Sequence, residues 1–283
     1  MYLLKAFRPL QWIKNGLIFI PCVFALQLTE IHNVLLDLII VALSFCCMSS
    51  AVYLFNDLAD RKSDARHPIK KNRAIASGKV NPKLASLACF ILLLGGVVLV
   101  GSVDPVLLIP SGIYIVINFG YSLGLKTIVI LDLFSVTSGY VIRTIVGAIT
   151  INAEPSPWLY TTTGAAALFI VVGKRYAEMR LTQEHKRRQV LGRYSLNLVS
   201  QLLTISAASA ILSYTLYTVE KEMLLTLPSV AFGLFRYLYL LNTSESAESP
   251  ERLIIQDIPL ILSVISWIII SAFILGEWYP QMM

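Results

Sequence analysis

Long apolar runs separated by short polar segments dominate the chain. About nine of these runs are long enough to span a bilayer as helices. They lie near Trp12–Leu28, Leu35–Phe55, Pro82–Val100, Pro105–Tyr121, Ile128–Ile149, Trp158–Gly173, Leu198–Val219, Met223–Leu241 and Ile258–Gly276. The pattern predicts an all-α polytopic membrane protein with about nine transmembrane helices. We expect residues 1–283 to form one transmembrane domain.

One polar stretch, residues 56–64, directly follows the apolar run Val34–Phe55. Carboxylates at the end of a membrane span are costly, so they indicate a functional site. If the helix continues to Asp64, four oxygen-bearing side chains share an arc about 100° wide. These are Asn56, Asp57, Asp60 and Asp64. Such hard oxygen ligands suit Mg²⁺. The alternative is a solvated helix end whose acids pair with Arg61 and Lys62.

A basic loop follows the acidic stretch. Pro68 predicts that the helix ends near His67. The cationic residues of this loop are Arg66, Lys70, Lys71, Arg73 and Lys79. Acids for a metal beside bases for phosphate are what a site for diphosphate chemistry requires, and this pairing favours the metal site.

Composition agrees with a membrane protein. The 283 residues are 56% hydrophobic and only 14% charged, and the mean hydropathy is +0.71, which excludes an ordinary soluble domain. Basic residues are concentrated in alternate loops, although the net charge is only +6. The positive-inside rule therefore predicts a cytoplasmic N-terminus and acidic stretch, and an external C-terminus. No segment resembles a nucleic-acid-binding module.

Other polar residues lie at the ends of spans or inside them. Lys14 and Asn15 open the first span, where Lys14 snorkels or contacts substrate. Asp132 and Arg143 are eleven residues apart and share a helix face, either as a polar seam between helices or in a direct role. Lys174, Arg175 and Glu178 lie at the cytoplasmic edge of the sixth span.

The acidic stretch resembles the N-D-x-x-D-x-x-x-D signature of the UbiA superfamily of intramembrane prenyltransferases. Four further segments are similar to its decaprenyl-phosphate phosphoribosyltransferase branch. They are Arg8-Pro9-Leu10-Gln11-Trp12-Ile13-Lys14-Asn15, His67-Pro68-x-Lys70 with Arg73-x-Ile75-Ala76-Ser77-Gly78, Tyr121-x-x-x-Leu125-Lys126, and Gly139-Tyr140-Val141-Ile142-Arg143. The resemblance covers nearly the whole chain and implies a UbiA-type bundle with a cytoplasm-facing cavity in the plasma (inner) membrane.

The resemblance also implies an Mg²⁺-dependent reaction. Its metal ligands are expected to be Asn56, Asp57, Asp60 and Asp64, and its catalytic residues Asp57, Asp60 and Asp64. The implied substrates are phosphoribosyl pyrophosphate and a polyprenyl phosphate. The expected substrate-binding residues are Lys14, Asn15, Arg66, Lys70, Arg73, Tyr121, Lys126, Asp132, Arg143, Lys174, Arg175 and Glu178. A homo-oligomer is compatible with the sequence.

One difference from the superfamily pattern distinguishes between two possible reactions. Its aromatic prenyltransferases carry a second aspartate-rich motif near span six, where this chain has Lys174-Arg175-x-x-Glu178. This basic edge favours a phosphoribosyl donor, with an aromatic prenyltransferase as the alternative. A transporter is less favoured, because the polar residues are concentrated at the cytoplasmic ends of helices rather than deep in several spans.

The alternating loops make a testable prediction about topology. In a background without Cys22, Cys46, Cys47 and Cys89, a cysteine introduced in the 66–79 loop should react with an impermeant thiol reagent only from the cytoplasmic side. A cysteine near Glu154 should react only from outside. Labelling of both positions from the same side of the membrane would contradict the predicted arrangement.

Overall fold

The computed structural model describes residues 2–25, 31–67, 70–153, 157–181, 189–244, 253 and 256–277. All regular secondary structure in these residues is helical, which confirms the predicted all-α class. The chain divides into two compact units, Met1–Pro155 and Ser156–Met283. The expectation of one transmembrane domain over residues 1–283 stays a prediction.

Unit 1 contains both short and long helices. Its α-helices are α1 (Tyr2–Ala6), α2 (Ile20–Ala25), α3 (Ile31–Ala59), α4 (Arg61–Arg66), α5 (Pro82–Val103), α6 (Leu108–Leu123) and α7 (Leu131–Thr150). Its 3₁₀ helices are Pro9–Phe19, Lys70–Asn72, Pro105–Leu107 and Leu125–Thr127.

Unit 2 contains α8 (Pro157–Leu181), α9 (Leu196–Glu220), α10 (Leu227–Thr243) and α11 (Ile258–Glu277), with 3₁₀ helices Gln189–Arg193 and Leu224–Thr226. α8 packs against α9, and α10 packs against α11. Asp257, just before α11, receives two hydrogen bonds from the Arg236 guanidinium, at 3.0 and 2.9 Å. These bonds hold the pKa of Asp257 below its usual value.

Six segments among the described residues are long and apolar enough to cross a membrane: Val34–Ala59, Pro82–Val103, Pro105–Leu123, Leu131–Thr150, Leu196–Glu220 and Leu224–Thr243. A shorter apolar segment covers Ile258–Ile274. These segments establish a multi-pass helical membrane protein, and the expected total of about nine spans stays a prediction.

The first predicted span has a different conformation from the expected continuous α-helix. Residues Pro9–Phe19 form a 3₁₀ helix, and α-helical geometry begins only at Ile20. A 3₁₀ helix is narrower than an α-helix and rises further per residue. This narrow segment packs against both α3 and α7. Its conformation is therefore determined by tertiary contacts rather than by the local apolar pattern, which predicted an α-helix.

α3 is at the centre of unit 1 and contacts α5, α6, α7 and the Pro9–Phe19 helix. Its buried side chains, including Phe45 and Met48, form a core with residues of α6 and α7 such as Tyr114 and Val146. α5 instead leaves large apolar side chains exposed, among them Phe90 and Ile91. An apolar outer surface of this kind is expected where helices face lipid hydrocarbon.

Gly147 allows the Pro9–Phe19 helix to approach α7 closely. A Cβ atom at this position would clash with the backbone carbonyl oxygen of Ile18. A backbone atom cannot move aside as a flexible side chain can, so only glycine fits here without a shift of one helix. This contact fixes the helix that carries Lys14 and Asn15.

We therefore predict that Gly147→Ala destabilises unit 1 by about 2 kcal/mol or more, because the added methyl group forces the two helices apart. Thermal unfolding of the purified protein in detergent measures the effect. Gly95→Ala in α5 is the matched control, since nothing lies within 4 Å of a Cβ there. Equal melting temperatures for the two variants would contradict the close contact.

Candidate active site

The four oxygen-bearing residues of the acidic stretch follow a nearly continuous helical path. α3 ends at Ala59 and α4 begins at Arg61, with Asp60 between them. The Asp60 amide donates to the Asn56 carbonyl at 2.9 Å, and the Asp64 amide donates to the Asp60 carbonyl at 2.8 Å. The helical hydrogen bonding thus continues past the break to Asp64, which is the condition for the shared helix face. α4 ends at Arg66, and Pro68 lies outside the described residues.

Two arginines from distant segments converge on Asp57. Arg8 Nη2 donates to Asp57 Oδ1 at 2.6 Å, and Arg73 Nη1 donates to the same oxygen at 3.1 Å. Arg73 Nη1 also donates to Asp64 Oδ2 at 2.7 Å. One guanidinium nitrogen therefore bridges two carboxylates that are seven residues apart.

The backbone before Pro9 places Arg8 in this position. Arg8 has a φ of 55°, in the left-handed region that non-glycine residues seldom adopt. Ser50 of α3 donates to the Phe7 carbonyl at 3.2 Å and accepts from Trp12 Nε1 at 3.0 Å. Both bonds tie the turn to α3, and the Arg8 guanidinium lies 4.8 Å from the centre of the Tyr53 ring.

Lys126, in the 3₁₀ helix after α6, pairs with the remaining acid. Its Nζ lies 2.5 Å from Asp60 Oδ1 and 3.5 Å from Asn56 Oδ1. The acids thus have partners from far along the chain, whereas Arg61 and Lys62 are exposed. We call Asn56, Asp57, Asp60 and Asp64 with Arg8, Arg73 and Lys126 the charged cluster.

Burial explains why Asp57 and Asp64 are paired with cations. Asp57 is 4% exposed and Asp64 is 3% exposed, and a buried carboxylate is strongly destabilising unless it is paired and hydrogen-bonded. The cluster has three carboxylates and three cationic side chains. Its formal charges therefore balance.

The donor chemistry of the cluster fits Mg²⁺. Carboxylate and amide oxygens from Asn56, Asp57, Asp60 and Asp64 are the hard ligands that this ion prefers. Within the described ranges, no group of three or more His, Cys, Asp or Glu residues is arranged to hold a metal ion. In this structure the oxygens face Arg8, Arg73 and Lys126 instead. The metal ligands remain a prediction.

Arg143 belongs to a separate buried network inside unit 1. Its Nε donates to Asn15 Oδ1 at 2.7 Å, its Nη1 donates to the Gly139 carbonyl at 2.5 Å, and its Nη2 donates to the Tyr114 hydroxyl at 3.2 Å. Asn15 Nδ2 donates in turn to Cys46 Sγ at 3.1 Å. These bonds connect the Pro9–Phe19 helix to α3, α6 and α7, which supports the polar-seam interpretation for Arg143.

The other predicted residues of unit 1 are not part of these two groups as described. Lys14 Nζ is 5.5 Å from the centre of the Tyr140 ring. Asp132 is fully buried in the first turn of α7. Arg66 is exposed, and Lys70 and Tyr121 are half-buried. Their substrate roles stay predictions.

The predicted residues of unit 2 lie on α8. Arg175 is 3% exposed, and its Nη1 lies 3.9 Å from Glu178 Oε2, one helical turn further on. Lys174 is half-buried beside them. A pair of opposite charges thus occupies the helix where sequence comparison would place a second acidic motif.

Two contributors were missing from the predicted site. Arg8 is predicted only as part of the N-terminal motif, although it contacts Asp57 directly, and Tyr114 lies within the predicted span Pro105–Tyr121 without being singled out. A signal for Arg8 was present, because a buried Asp57 requires a cation that its own helix does not supply. Nothing in the local pattern around Tyr114 indicates its bond to Arg143.

Fold and site together define a multi-pass helical membrane protein with a charged cluster at the end of one span. Residues 18–258 match the UbiA prenyltransferase family, and the chain belongs to that family. The predicted resemblance is thereby confirmed.

Relatives and solved structures give a consistent result. The chain is 31% identical over 225 residues to a decaprenyl-phosphate phosphoribosyltransferase of Mycolicibacterium smegmatis, covering 78% of this chain and 71% of that protein. It is 30% identical over 275 residues to one from Mycobacterium tuberculosis, covering 93% and 91%. A UbiA homolog from Archaeoglobus fulgidus bound to GPP and Mg²⁺ has the same fold, with a TM-score of 0.71, 16% identity and 99% coverage of both chains.

The double contact of Arg73 makes a prediction about stability. Arg73→Ala leaves two buried carboxylates without a shared donor, and we expect a loss of about 1.5–3 kcal/mol in unfolding free energy. Thermal unfolding in detergent measures this loss. Lys83→Ala removes an exposed cation at the start of α5 and is the control, expected to change stability by less than about 0.5 kcal/mol. The prediction fails if the melting temperature of Arg73→Ala equals that of the Lys83→Ala control.

Proposed function

We propose that this protein transfers 5-phosphoribose from phosphoribosyl pyrophosphate to a polyprenyl phosphate and releases diphosphate. The observation that carries the proposal is the charged cluster, in which carboxylates suited to a metal lie in contact with cations suited to phosphate. The names of the relatives at 30–31% identity support the same reaction. The product would be a precursor for cell-envelope polysaccharide.

The charged cluster would bind the diphosphate end of the donor. Arg8, Arg73 and Lys126 would donate to phosphate oxygens, where charge-assisted hydrogen bonds are strong. Asn56, Asp57, Asp60 and Asp64 would hold Mg²⁺, which when bound neutralises negative charge on a departing diphosphate. Lys174 is a further candidate for a phosphate contact.

The acceptor would be an anionic lipid phosphate. One of its oxygens forms the new bond to the anomeric carbon while the bond from that carbon to the diphosphate oxygen breaks, through an oxocarbenium-like transition state. A phosphate ester is ionised at neutral pH, so its attacking oxygen carries no proton that must be removed. The residues of this chain then need only bind and orient the two substrates. We place the site on the cytoplasmic side of the inner membrane, where the positive-inside rule puts the acidic stretch.

The second candidate is an aromatic prenyltransferase that uses a prenyl diphosphate. The structural likeness to a UbiA homolog bound to GPP and Mg²⁺ favours it. The Arg175–Glu178 pair on α8 disfavours it, because a second metal on a prenyl diphosphate would need several acids there.

Purified protein incubated with labelled phosphoribosyl pyrophosphate, polyprenyl phosphate and Mg²⁺ should transfer label into the lipid phase. Asp60→Asn should lower the rate by about 10²-fold or more, because it removes one negative charge from the metal ligands. Removal of Mg²⁺ with a chelator should also stop the reaction.

Asp104→Asn is the matched control for this experiment. Asp104 caps a 3₁₀ helix outside the charged cluster by accepting from the Val106 amide, and an asparagine oxygen accepts equally well. This variant should retain the wild-type rate. Consumption of a prenyl diphosphate, with no use of phosphoribosyl pyrophosphate, would overturn the proposed donor.

A further inference from the structure

We propose that Arg8, Arg73 and Lys126 are resident counterions of the acidic residues, and that they make divalent-metal binding at the charged cluster depend on a bound diphosphate. The inference rests on the proposed use of a diphosphate-bearing donor. It goes further by assigning a role to Arg8 and by specifying how the affinities for metal and donor are linked.

The first step is competition for the same oxygens. Asp57 Oδ1 accepts from both Arg8 and Arg73, and Asp60 Oδ1 lies 2.5 Å from Lys126. A metal ion that binds these atoms must displace the cations or share oxygens with them. Because the three carboxylates are already neutralised, a divalent ion alone would leave two uncompensated positive charges in a largely buried place.

The second step is that a diphosphate removes this penalty. Its oxygens are better acceptors for guanidinium and ammonium groups than water is. When the cations move to the phosphates, the carboxylates become available to the metal. Metal and diphosphate carry charges of opposite sign, so together they offset much of the imbalance that either would leave at the neutral cluster alone.

The exposure of the partners fits this exchange. The side chains of Arg8, Arg73 and Lys126 are 30%, 26% and 23% exposed, whereas those of Asp57 and Asp64 are only 5% and 4% exposed. The cations are thus on the accessible side of the cluster and the two acids on the inner side. The Arg8 guanidinium also lies 4.8 Å from the centre of the Tyr53 ring.

Linkage makes the effect reciprocal. If diphosphate increases metal affinity by some factor, metal must increase diphosphate affinity by the same factor. Removal of one counterion should then have opposite effects on the two ligands. The metal alone should bind more tightly, because its competitor is gone, and diphosphate in the presence of metal should bind more weakly.

Equilibrium dialysis tests this directly, with labelled Mn²⁺ as the metal probe and labelled inorganic diphosphate as the anion. For the wild-type protein, we expect saturating diphosphate to increase Mn²⁺ affinity about tenfold or more. For Arg8→Gln and Lys126→Gln, we expect Mn²⁺ alone to bind several-fold more tightly than to the wild type. The diphosphate-dependent increase should become smaller. Lys83→Gln, an exposed cation outside the charged cluster, should behave as the wild type.

The opposite signs distinguish this proposal from a structural role, since a variant that only loosened the fold would bind both ligands more weakly. Thermal unfolding of each variant identifies any that fails to fold. If one of the two variants fails to fold, the other still tests the proposal. Wild-type protein that binds Mn²⁺ equally well with and without diphosphate would overturn the proposal. Inorganic diphosphate is common to both candidate donors, so failure of the phosphoribosyl transfer assay with this coupling intact would reject only the proposed function.

Discussion

The desolvation of carboxylates is the constraint on which unit 1 depends. Asp57 and Asp64 are buried at the end of an apolar helix, where an unpaired charge would destabilise the protein by several kcal/mol. α3 cannot supply the compensating cations, so other segments do. Arg8 comes from a left-handed turn, Arg73 from the loop after α4, and Lys126 from the short helix after α6. The packing of unit 1 brings these three segments to one helix end.

Features that depend on neighbours in sequence could be predicted. The long apolar runs indicated the membrane helices, and the four-residue spacing of Asn56, Asp60 and Asp64 indicated a shared helix face. The ion pairs could not be predicted in the same way. Arg8 and Asp57 are 49 residues apart, and Lys126 and Asp60 are 66 apart. No local pattern specifies which distant cation meets which acid.

The conformation of the first apolar run also depends on residues that are distant in the sequence. Its composition is that of an α-helix, yet Pro9–Phe19 is a 3₁₀ helix because contacts from other segments determine its shape. Gly147 leaves room for the backbone of the Pro9–Phe19 helix, and Arg143 donates a hydrogen bond to Asn15, which is 128 residues away in the sequence. Arg143 stands out in a membrane span from its sequence position alone, but the partners that support the polar-seam interpretation could not be predicted. Those partners lie on three different helices.

The spread of the counterions along the chain has a consequence for biosynthesis. A ribosome makes the chain from its N-terminus, and Arg8 therefore exists before Asp57 does. Arg73 follows soon after the acids, but Lys126 is made only after α5 and α6. Asp60 thus leaves the ribosome two membrane helices ahead of its ammonium partner. The charge balance of this helix end is completed late in the synthesis of unit 1, so the final ion pair forms only after a large part of the surrounding bundle has been translated.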